Sequence, residues 1–259
     1  MWVADTIDNT VTELQAGSGT VVATYSGSEF DDPNAVAFDG ADIWVANYNN
    51  GTLTELEAGN GAVLGTVSVG TNPTGLAFDG SNIGVANQGG TTVTKVRAKD
   101  RVVLGSFTVG NGPYAVAYDG SHIWVANFGS YNVIKLQASN GVVLGTFAVG
   151  TNPFALAFDG ANIGVVNNGS NTVSKLRASD GTTLGTFTVG NNPAGVVFDG
   201  ASVWVVNNNA DGAGTVTKLQ ASTGAFEGTF AVGSNSYGAA FDGANVWVAN
   251  LGSNNVSKL

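Results

Sequence analysis

The stretch VGNNPAGVVFDGASVWVVN, residues 189–207, decides the fold because the chain repeats it. Forty residues earlier, residues 149–167 read VGTNPFALAFDGANIGVVN. An Asp-Gly pair follows every proline of the chain at the same offset, and the prolines keep the same interval: Pro33, Pro73, Pro113, Pro153 and Pro193. Similarity at a fixed period of about 40 residues is the signature of a repeat protein.

Each repeat is predicted to form four short antiparallel strands. In the copy quoted first they are strand a (Ala194–Phe198), strand b (Val203–Val206), strand c (Thr215–Leu219) and strand d (Phe226–Phe230). Their residues are mostly β-branched or aromatic, and Gly, Asn and Asp separate them, as in strands joined by tight turns. No stretch of helical length has the helical period. Four-stranded sheets repeated along one chain predict an all-β fold, the β-propeller.

The number of strands leaves two blade counts open. Strands b and c occur seven times and strands a and d six times, which makes 26, too few for seven complete blades and too many for six. We favour seven blades, of which the first lacks strand a and the last lacks strand d. A segment of roughly 20 residues before Met1 would then complete the propeller at the repeat's own spacing. We expect residues 1–259 to form one domain.

Composition narrows the class of protein. Only 11% of the residues are charged and the net charge is −10, so nucleic acid, with its phosphate backbone, is not an expected partner. The absence of cysteine excludes disulfides, cysteine zinc sites and iron–sulfur clusters. No apolar run is long enough to span a bilayer, so we expect no membrane insertion. The opening MWVADTIDN does not read as a signal peptide.

The two faces of the predicted propeller differ. Successive turns of a meander lie on opposite sides, so the a–b turns share one face and the b–c turns and d–a crossovers share the other, here called the loop face. The a–b turns repeat Asp-Gly, which indicates turn formation rather than paired catalytic carboxylates. The loop face diverges among the repeats, and loops on a rigid scaffold usually carry the binding residues. Drift would produce the same divergence.

The loop face therefore supplies the predicted ligand-binding residues. They are Tyr48, Asn50, Tyr114, Phe128, Tyr131, Phe154, Asn208 and Tyr237. Aromatic rings beside amides suit sugars, because ring faces cover C–H patches while amides bond to hydroxyl groups. The alternative is that Tyr114, Phe154 and Tyr237 plug the mouth of the central channel.

The first crossover carries three acids, Glu29, Asp31 and Asp32. Carboxylates are ligands that Ca²⁺ prefers, so a calcium site is one interpretation. Their spacing matches no established calcium loop, and a solvated acidic crossover is the favoured alternative. No other cofactor is expected.

Two repeats have glycine, Gly84 or Gly164, where other repeats have tryptophan in strand b. The same two repeats also carry an arginine in strand c and an aspartate after it, as Arg97 with Asp100 and Arg177 with Asp180. We expect the arginine stem to cover the space of the missing indole and the acid to pair with the guanidinium. A pocket between blades is the alternative.

The single histidine, His122, stands in a slot that other repeats fill with polar turn residues. Asp119 is near in sequence, yet no serine can be assigned to complete a Ser-His-Asp triad. A structural role at the turn is therefore predicted.

The repeat NPxxxAFDGxxIWVANxxxxTVTKLxAxxGxxLGTFxVG resembles the YVTN-type propeller repeat of bacterial and archaeal surface proteins. It is also similar to the repeats of streptogramin lyases and NHL-like propellers. The resemblance covers the whole chain and rests on residues that build blades. It implies an extracellular or cell-surface protein. Streptogramin lyases rely on more than one active-site histidine, whereas this chain has only His122.

These observations predict a non-catalytic extracellular or cell-surface propeller that binds a glycan or a protein at its loop face. One alternative is a lyase or hydrolase of the streptogramin-lyase type. Another is a structural repeat that self-associates, with its incomplete first and last blades pairing with strands of another chain, because unpaired strand edges attract partners.

Overall fold

A computed structural model describes residues 1–209 and 212–259 of the chain. Residues 210 and 211, in the predicted insertion 207–214, lie outside the described residues. The described part consists of strands, turns and one short 3-10 helix, Asn168–Ser170, and contains no α-helix. None of its helices is long and apolar enough to cross a membrane.

The strands form seven sheets, and strands that are neighbours in the chain are neighbours in the sheet. The first sheet consists of β1 (Trp2–Asp5), β2 (Thr10–Leu14) and β3 (Val21–Ser26), and the second of β4 (Pro33–Phe38), β5 (Asp42–Asn47), β6 (Thr52–Glu57) and β7 (Val63–Ser68). The third consists of β8 (Pro73–Phe78), β9 (Asn82–Asn87), β10 (Thr92–Arg97) and β11 (Val102–Thr108), and the fourth of β12 (Pro113–Tyr118), β13 (His122–Asn127), β14 (Asn132–Gln137) and β15 (Val143–Ala148).

The remaining sheets continue the pattern. The fifth consists of β16 (Pro153–Phe158), β17 (Asn162–Asn167), β18 (Thr172–Arg177) and β19 (Thr183–Thr188), and the sixth of β20 (Pro193–Phe198), β21 (Ser202–Asn207), β22 (Ala213–Gln220) and β23 (Phe226–Ser234). The last consists of β24 (Ser236–Phe241), β25 (Val246–Asn250) and β26 (Asn255–Lys258).

This architecture confirms the predicted all-β propeller with seven blades, and the six-blade alternative is wrong. The first and last sheets have three strands each, as the count of a and d strands indicated. Strand d of the sixth blade runs to Ser234, four residues past its predicted end at Phe230. The reason is the longer strand β22, whose first residue, Ala213, pairs with Ser234.

Two compact units divide the chain. One comprises Met1–Ser130 with Ile134–Leu144, and the other comprises Tyr131–Val133 with Gly145–Leu259. The single domain expected over residues 1–259 stays a prediction.

The Asp-Gly pairs build the a–b turns, as predicted. In the second blade, Asp39 Oδ1 accepts hydrogen bonds from the backbone N–H groups of Ala41 at 2.9 Å and Asp42 at 2.8 Å. Gly40 has a φ of 100°, a conformation that only glycine adopts without strain. The aspartate thus replaces a backbone acceptor and the glycine reverses the chain, so the sequence pair determines the turn.

The b–c turn and the d–a crossover of a blade are joined by backbone hydrogen bonds. The residue after strand b donates to the residue before the proline, as Gln88 N does to Asn72 O at 2.9 Å and Phe128 N to Gly112 O at 2.9 Å. The acceptor residues lie in the left-handed region, where Asn72 has a φ of 51°. The proline itself, expected in the crossover, is the first residue of strand a. Each blade therefore presents its two loops as one surface.

Candidate binding site on the loop face

The structure puts the three aromatic residues that follow the crossovers at the start of strand a in three blades. Tyr114, Phe154 and Tyr237 are the second residues of β12, β16 and β24. The other predicted residues follow strand b or lie in the b–c turns. They are Tyr48, Asn50, Phe128, Tyr131 and Asn208.

In the second unit, two of the predicted rings are in contact. The centroids of Phe154 and Tyr237 are 6.5 Å apart, and the ring planes are tilted by 34°. Tyr237 is 41% exposed. Ala194 fills the same slot in the blade between them and is buried, so its small side chain leaves the two larger rings free to meet. The pair forms an aromatic surface that is partly open to solvent.

An amide that the sequence analysis did not single out lies on the same unit. Asn168 follows strand b of the fifth blade, and its Nδ2 donates to Pro193 O at 3.0 Å. Asn208, the predicted amide, is buried, and its backbone N–H donates to Asn192 O at 3.1 Å. The one sequence signal that could have found Asn168 is the divergence of the b–c turns. Its contact with Pro193 could not be predicted, because the two residues lie 25 positions apart.

In the first unit, the predicted aromatic residues form two separate contacts. Tyr114 and Phe128 have ring centroids 6.1 Å apart with an interplanar angle of 39°. Tyr48 Oη donates to Gln88 Oε1 at 2.9 Å, which connects the b–c turns of two blades. Tyr48 also accepts, at its carbonyl oxygen, a hydrogen bond from Asn72 Nδ2 at 3.1 Å.

Two of the predicted ligand-binding residues lie in b–c turns and differ in their backbone conformation and hydrogen bonding. Tyr131 is exposed and has a φ of 56°, which is rare for an aromatic residue and costs on the order of 1 kcal/mol. Asn50 is also exposed, and its Oδ1 accepts a hydrogen bond from Thr52 Oγ1 at 2.6 Å, which holds the turn. Strained backbone conformations are often found at functional sites, so the exposed ring of Tyr131 stays a hypothesis for ligand binding.

The acids of the first crossover are engaged with neighbouring loops. Asp31 Oδ1 accepts from Asn49 Nδ2 at 3.1 Å, and Asp32 N donates to Asn9 Oδ1 at 2.7 Å. Burial, followed by the negative charge of Asp31, raises the pKa of Asp32. Thr54 Oγ1 donates to the carbonyl oxygen of Glu29 at 3.0 Å. The calcium site at Glu29, Asp31 and Asp32 stays a prediction.

A different set of carboxylates converges within the described residues. Oxygens of Asp39, Asp42 and Glu55 all lie within 4.8 Å of one another. Glu55 is buried, and Arg101 forms an ion pair with it. Burial raises the pKa of Glu55, and the hydrogen bond and charge of Arg101 oppose that shift. The cluster therefore already contains a cation, which sequence spacing could not show.

His122 lies at an a–b turn. Its Nδ1 is 3.1 Å from Asp119 Oδ2, and that oxygen also accepts the indole N–H of Trp124 at 2.8 Å. Burial of the Asp119 carboxyl opposes ionisation, but the bonds from Trp124 and from His122 outweigh it, so the pKa of Asp119 is lowered. The carboxylate is thus occupied in holding the turn and the indole, in agreement with a structural role.

Clefts lie where glycine replaces tryptophan in strand b. Asp79, Gly84, Lys95 and Phe107 line the Gly84 cleft, and the equivalent residues line the Gly164 cleft: Asp159, Gly164, Lys175 and Phe187. Each cleft has about 20 Å³ open to the centre of a water molecule, which is room for about one water. The pocket that sequence analysis gave as the alternative is present in both blades.

The arginines do not cover these spaces, which corrects the predicted packing. Arg97 and Arg177 pair with Asp100 at 2.8 Å and Asp180 at 3.0 Å, as predicted, but their side chains are 45% and 48% exposed. The lysine opposite the glycine occupies the cleft instead, and Lys95 Nζ donates to Ala138 O at 2.6 Å. Strand register explains the result, because Lys95 is the direct partner of Gly84, whereas Arg97 pairs with Asn82 at the end of the strand.

Comparison with known proteins identifies the fold. No protein-family model matches the chain, and no curated protein matches it. Hydrazine synthase of Kuenenia stuttgartiensis is similar in structure, with a TM-score of 0.79 and 19% identity over 93% of this chain and 80% of that chain. A functionally unknown protein of Desulfotomaculum acetoxidans has a TM-score of 0.76 and 15% identity over 99% of this chain and 93% of that chain.

A structure of streptogramin B lyase is also similar, with a TM-score of 0.83 and 13% identity over 99% of this chain and 88% of that chain. At these identities the similarity shows the fold alone, because many functions share a propeller scaffold. The YVTN-type resemblance stays a prediction. The chain is a β-propeller, and its function has to be argued from its own residues.

Proposed function

We propose that this propeller is a non-catalytic binding protein that recognises carbohydrate at its loop face. The observation that carries the proposal is the contact between Phe154 and Tyr237, whose centroids are 6.5 Å apart. Tyr237 is 41% exposed, so the pair offers ring surface to a ligand. Strands β16 and β24 hold the two residues at their second positions, which makes the platform rigid.

The chemistry of the surroundings favours a sugar over an apolar ligand. Aromatic faces cover the C–H patches of a pyranose ring, and amides and hydroxyl groups nearby bond to its hydroxyl groups. Asn168 and Ser170 supply such groups at the b–c turn of the fifth blade. Few charges and many Asn, Thr and Ser residues also support an extracellular or cell-surface location.

A glycan and polysaccharide array tests the proposal. The parent chain is compared with the Phe154→Ala/Tyr237→Ala variant, and Phe226→Ala is the matched control because Phe226 is 66% exposed on strand d. We expect selective binding by the parent and the control. Removal of the aromatic pair as a whole is expected to cost about 2 kcal/mol, so the double variant should bind roughly thirty-fold more weakly.

Two outcomes contradict this assignment. Binding that survives in the double variant would place the site away from the aromatic pair. If the correctly folded parent binds no glycan on the array, carbohydrate recognition is contradicted and a protein ligand at the same face is favoured.

A further inference from the structure

We propose that the Gly84 cleft and the Gly164 cleft are binding sites for a small planar heteroaromatic molecule with one ring N–H, of the indole type. The two clefts lie within separate units and away from the loop face. The proposal is therefore independent of carbohydrate binding. It rests on three groups that hold a tryptophan indole in other blades and that are present in the two clefts without it.

The first group is the aspartate of the a–b turn. Its Oδ2 accepts the indole N–H at 2.7–2.9 Å in four blades, in the pairs Asp39 with Trp44, Asp119 with Trp124, Asp199 with Trp204 and Asp242 with Trp247. Asp79 and Asp159 occupy this position in the clefts and accept hydrogen bonds from the amides of Asn82 and Asn162 at 3.0 Å. Each cleft therefore contains a carboxylate at the position of the indole acceptor, and in the Gly84 cleft Lys95 Nζ lies 3.4 Å from Asp79 Oδ2.

Those asparagines leave room for the donor. In the last blade Asp242 Oδ2 accepts from Asn245 Nδ2 at 3.1 Å and from Trp247 Nε1 at 2.7 Å at the same time. One carboxylate oxygen thus serves an amide and an indole together. Asp79 and Asp159 have the same amide partner and can do the same.

The second group is the lysine on strand c. Lys135, Lys218 and Lys258 lie over the indoles of Trp124, Trp204 and Trp247, with Nζ 5.3 Å, 4.6 Å and 5.2 Å from the ring centroids. Lys218 pairs with Trp204 across strands, and in the same register Lys95 pairs with Gly84 and Lys175 with Gly164. The clefts therefore contain the cation for a cation–π interaction with a bound ring.

The third group is the aromatic residue of strand d. Trp204 contacts Phe230 with centroids 5.2 Å apart, and Trp2 stacks on Tyr25 at 5.3 Å. Phe107 and Phe187 hold this strand position in the Gly84 and Gly164 clefts and line them. A bound indole would face the same kind of ring that a tryptophan faces elsewhere.

The clefts can admit a small ligand if the lysine turns. A Cβ at Gly84 would lie 3.5 Å from Val116 Cγ1, an ordinary contact, so the backbone leaves the way open. Lys95 must leave Ala138 O, to which it donates at 2.6 Å, and move over the ring as Lys218 does. This exchange makes the binding weak, with a dissociation constant on the order of 1 mM.

Fluorine NMR titration of the full chain with 5-fluoroindole tests the proposal. We expect two saturable sites in the parent, one in Gly164→Trp and none in Gly84→Trp/Gly164→Trp, because the new indole fills the cleft. Phe226→Trp adds a tryptophan on an exposed position and serves as the control, with both sites retained. Saturable binding that persists in the double variant overturns the proposal, as does an absence of binding to the parent at 10 times the expected dissociation constant, about 10 mM.

A second ligand isolates the N–H donor. We expect 2-fluoronaphthalene to bind at least about tenfold more weakly than 5-fluoroindole, because it cannot donate to the carboxylate. Equal affinities overturn the role of Asp79 and Asp159. If the tryptophan variants do not fold, Gly84→Ala/Gly164→Ala replaces them. A methyl group narrows both clefts at ordinary contact distances, and unchanged affinity in that variant contradicts the proposal.

Discussion

Trp124 and Gly84 hold the same position in strand b of two blades and create opposite surroundings. Trp124 is buried, donates to Asp119 at 2.8 Å and lies under Lys135. At Gly84 the lysine extends into the vacant space and donates to a carbonyl of the next blade. Strands a and b nevertheless pair in the same register in both blades, Ala77 with Gly84 and Ala117 with Trp124. The blade is therefore built by its turns and strand pairing, and the side chain at this position is free to be core or cleft.

The largest effect is expected when a tryptophan blade is converted into a glycine blade. Trp124→Gly should lower the free energy of unfolding by about 3–5 kcal/mol, because a buried aromatic side chain is lost and only part of the space can close. Urea denaturation measures the change. Lys135 is expected to move towards the vacated space, as Lys95 does.

Trp124→Phe is the control for that variant, since it keeps a buried aromatic ring while it removes the N–H donor and part of the volume of the indole. A loss of less than about 1 kcal/mol in Trp124→Gly would contradict the comparison and show that the indole contributes little to the blade.

The second largest effect is expected from acid, which should destabilise the a–b turns of the blades that carry tryptophan. Hydrogen bonds from Trp247 and from the backbone of Asn245 and Ala244 lower the pKa of Asp242. A carboxyl whose pKa is lower in the folded state stabilises the fold fully above its unfolded pKa of about 4, and this contribution is lost as the pH falls below that value. Thermal unfolding should therefore occur at a lower temperature at pH 3 than at pH 6.

The Trp247→Phe variant sharpens the pH experiment. It removes the largest cause of the lowered pKa of Asp242, so the difference between melting temperatures at pH 6 and pH 3 should shrink. A difference as large as that of the parent would show that the indole N–H does not stabilise the charged turn.

The smallest effect is expected from the arginine of a glycine blade. Arg177→Ala should leave the melting temperature unchanged within error, because the ion pair with Asp180 is half exposed. Lys175→Ala is the matched comparison two residues away and should lower it, since Lys175 Nζ donates to Ala221 O at 2.5 Å and Ser222 O at 3.1 Å. A larger decrease in melting temperature for Arg177→Ala than for Lys175→Ala would indicate that the arginine, and not the lysine, fills the cleft.

Much of the local structure was predictable because the determining interactions are short. Asp39 bonds to groups two and three residues away, and Gly40 needs a positive φ, so Asp-Gly specifies its turn wherever it occurs. The repeat period and the number of strands then determined the class of fold and the incomplete first and last blades. The paired Arg97 and Asp100, three residues apart, were predictable for the same reason.

Contacts between blades were not predictable from one sequence. Lys95 reaches Ala138 across 43 residues, and Tyr48 reaches Gln88 across 40. Which residue of strand c lies opposite the glycine depends on the strand register, which pairs Lys95 with Gly84 and Arg97 with Asn82. That is why the arginine was placed in the cleft instead of the lysine, and why the convergence of Asp39, Asp42 and Glu55 was not anticipated.

The sequence by itself predicted a β-propeller, with seven blades favoured over six, Asp-Gly turns on one side and variable loops on the other, because the turn chemistry acts within a few residues and the repeat is visible in the sequence. Only the tertiary structure decided that Phe154 meets Tyr237 and that two glycine positions are clefts crossed by lysines. The physical reason is that packing between sheets joins side chains about 40 to 80 residues apart, whose directions follow from strand register rather than from local preference.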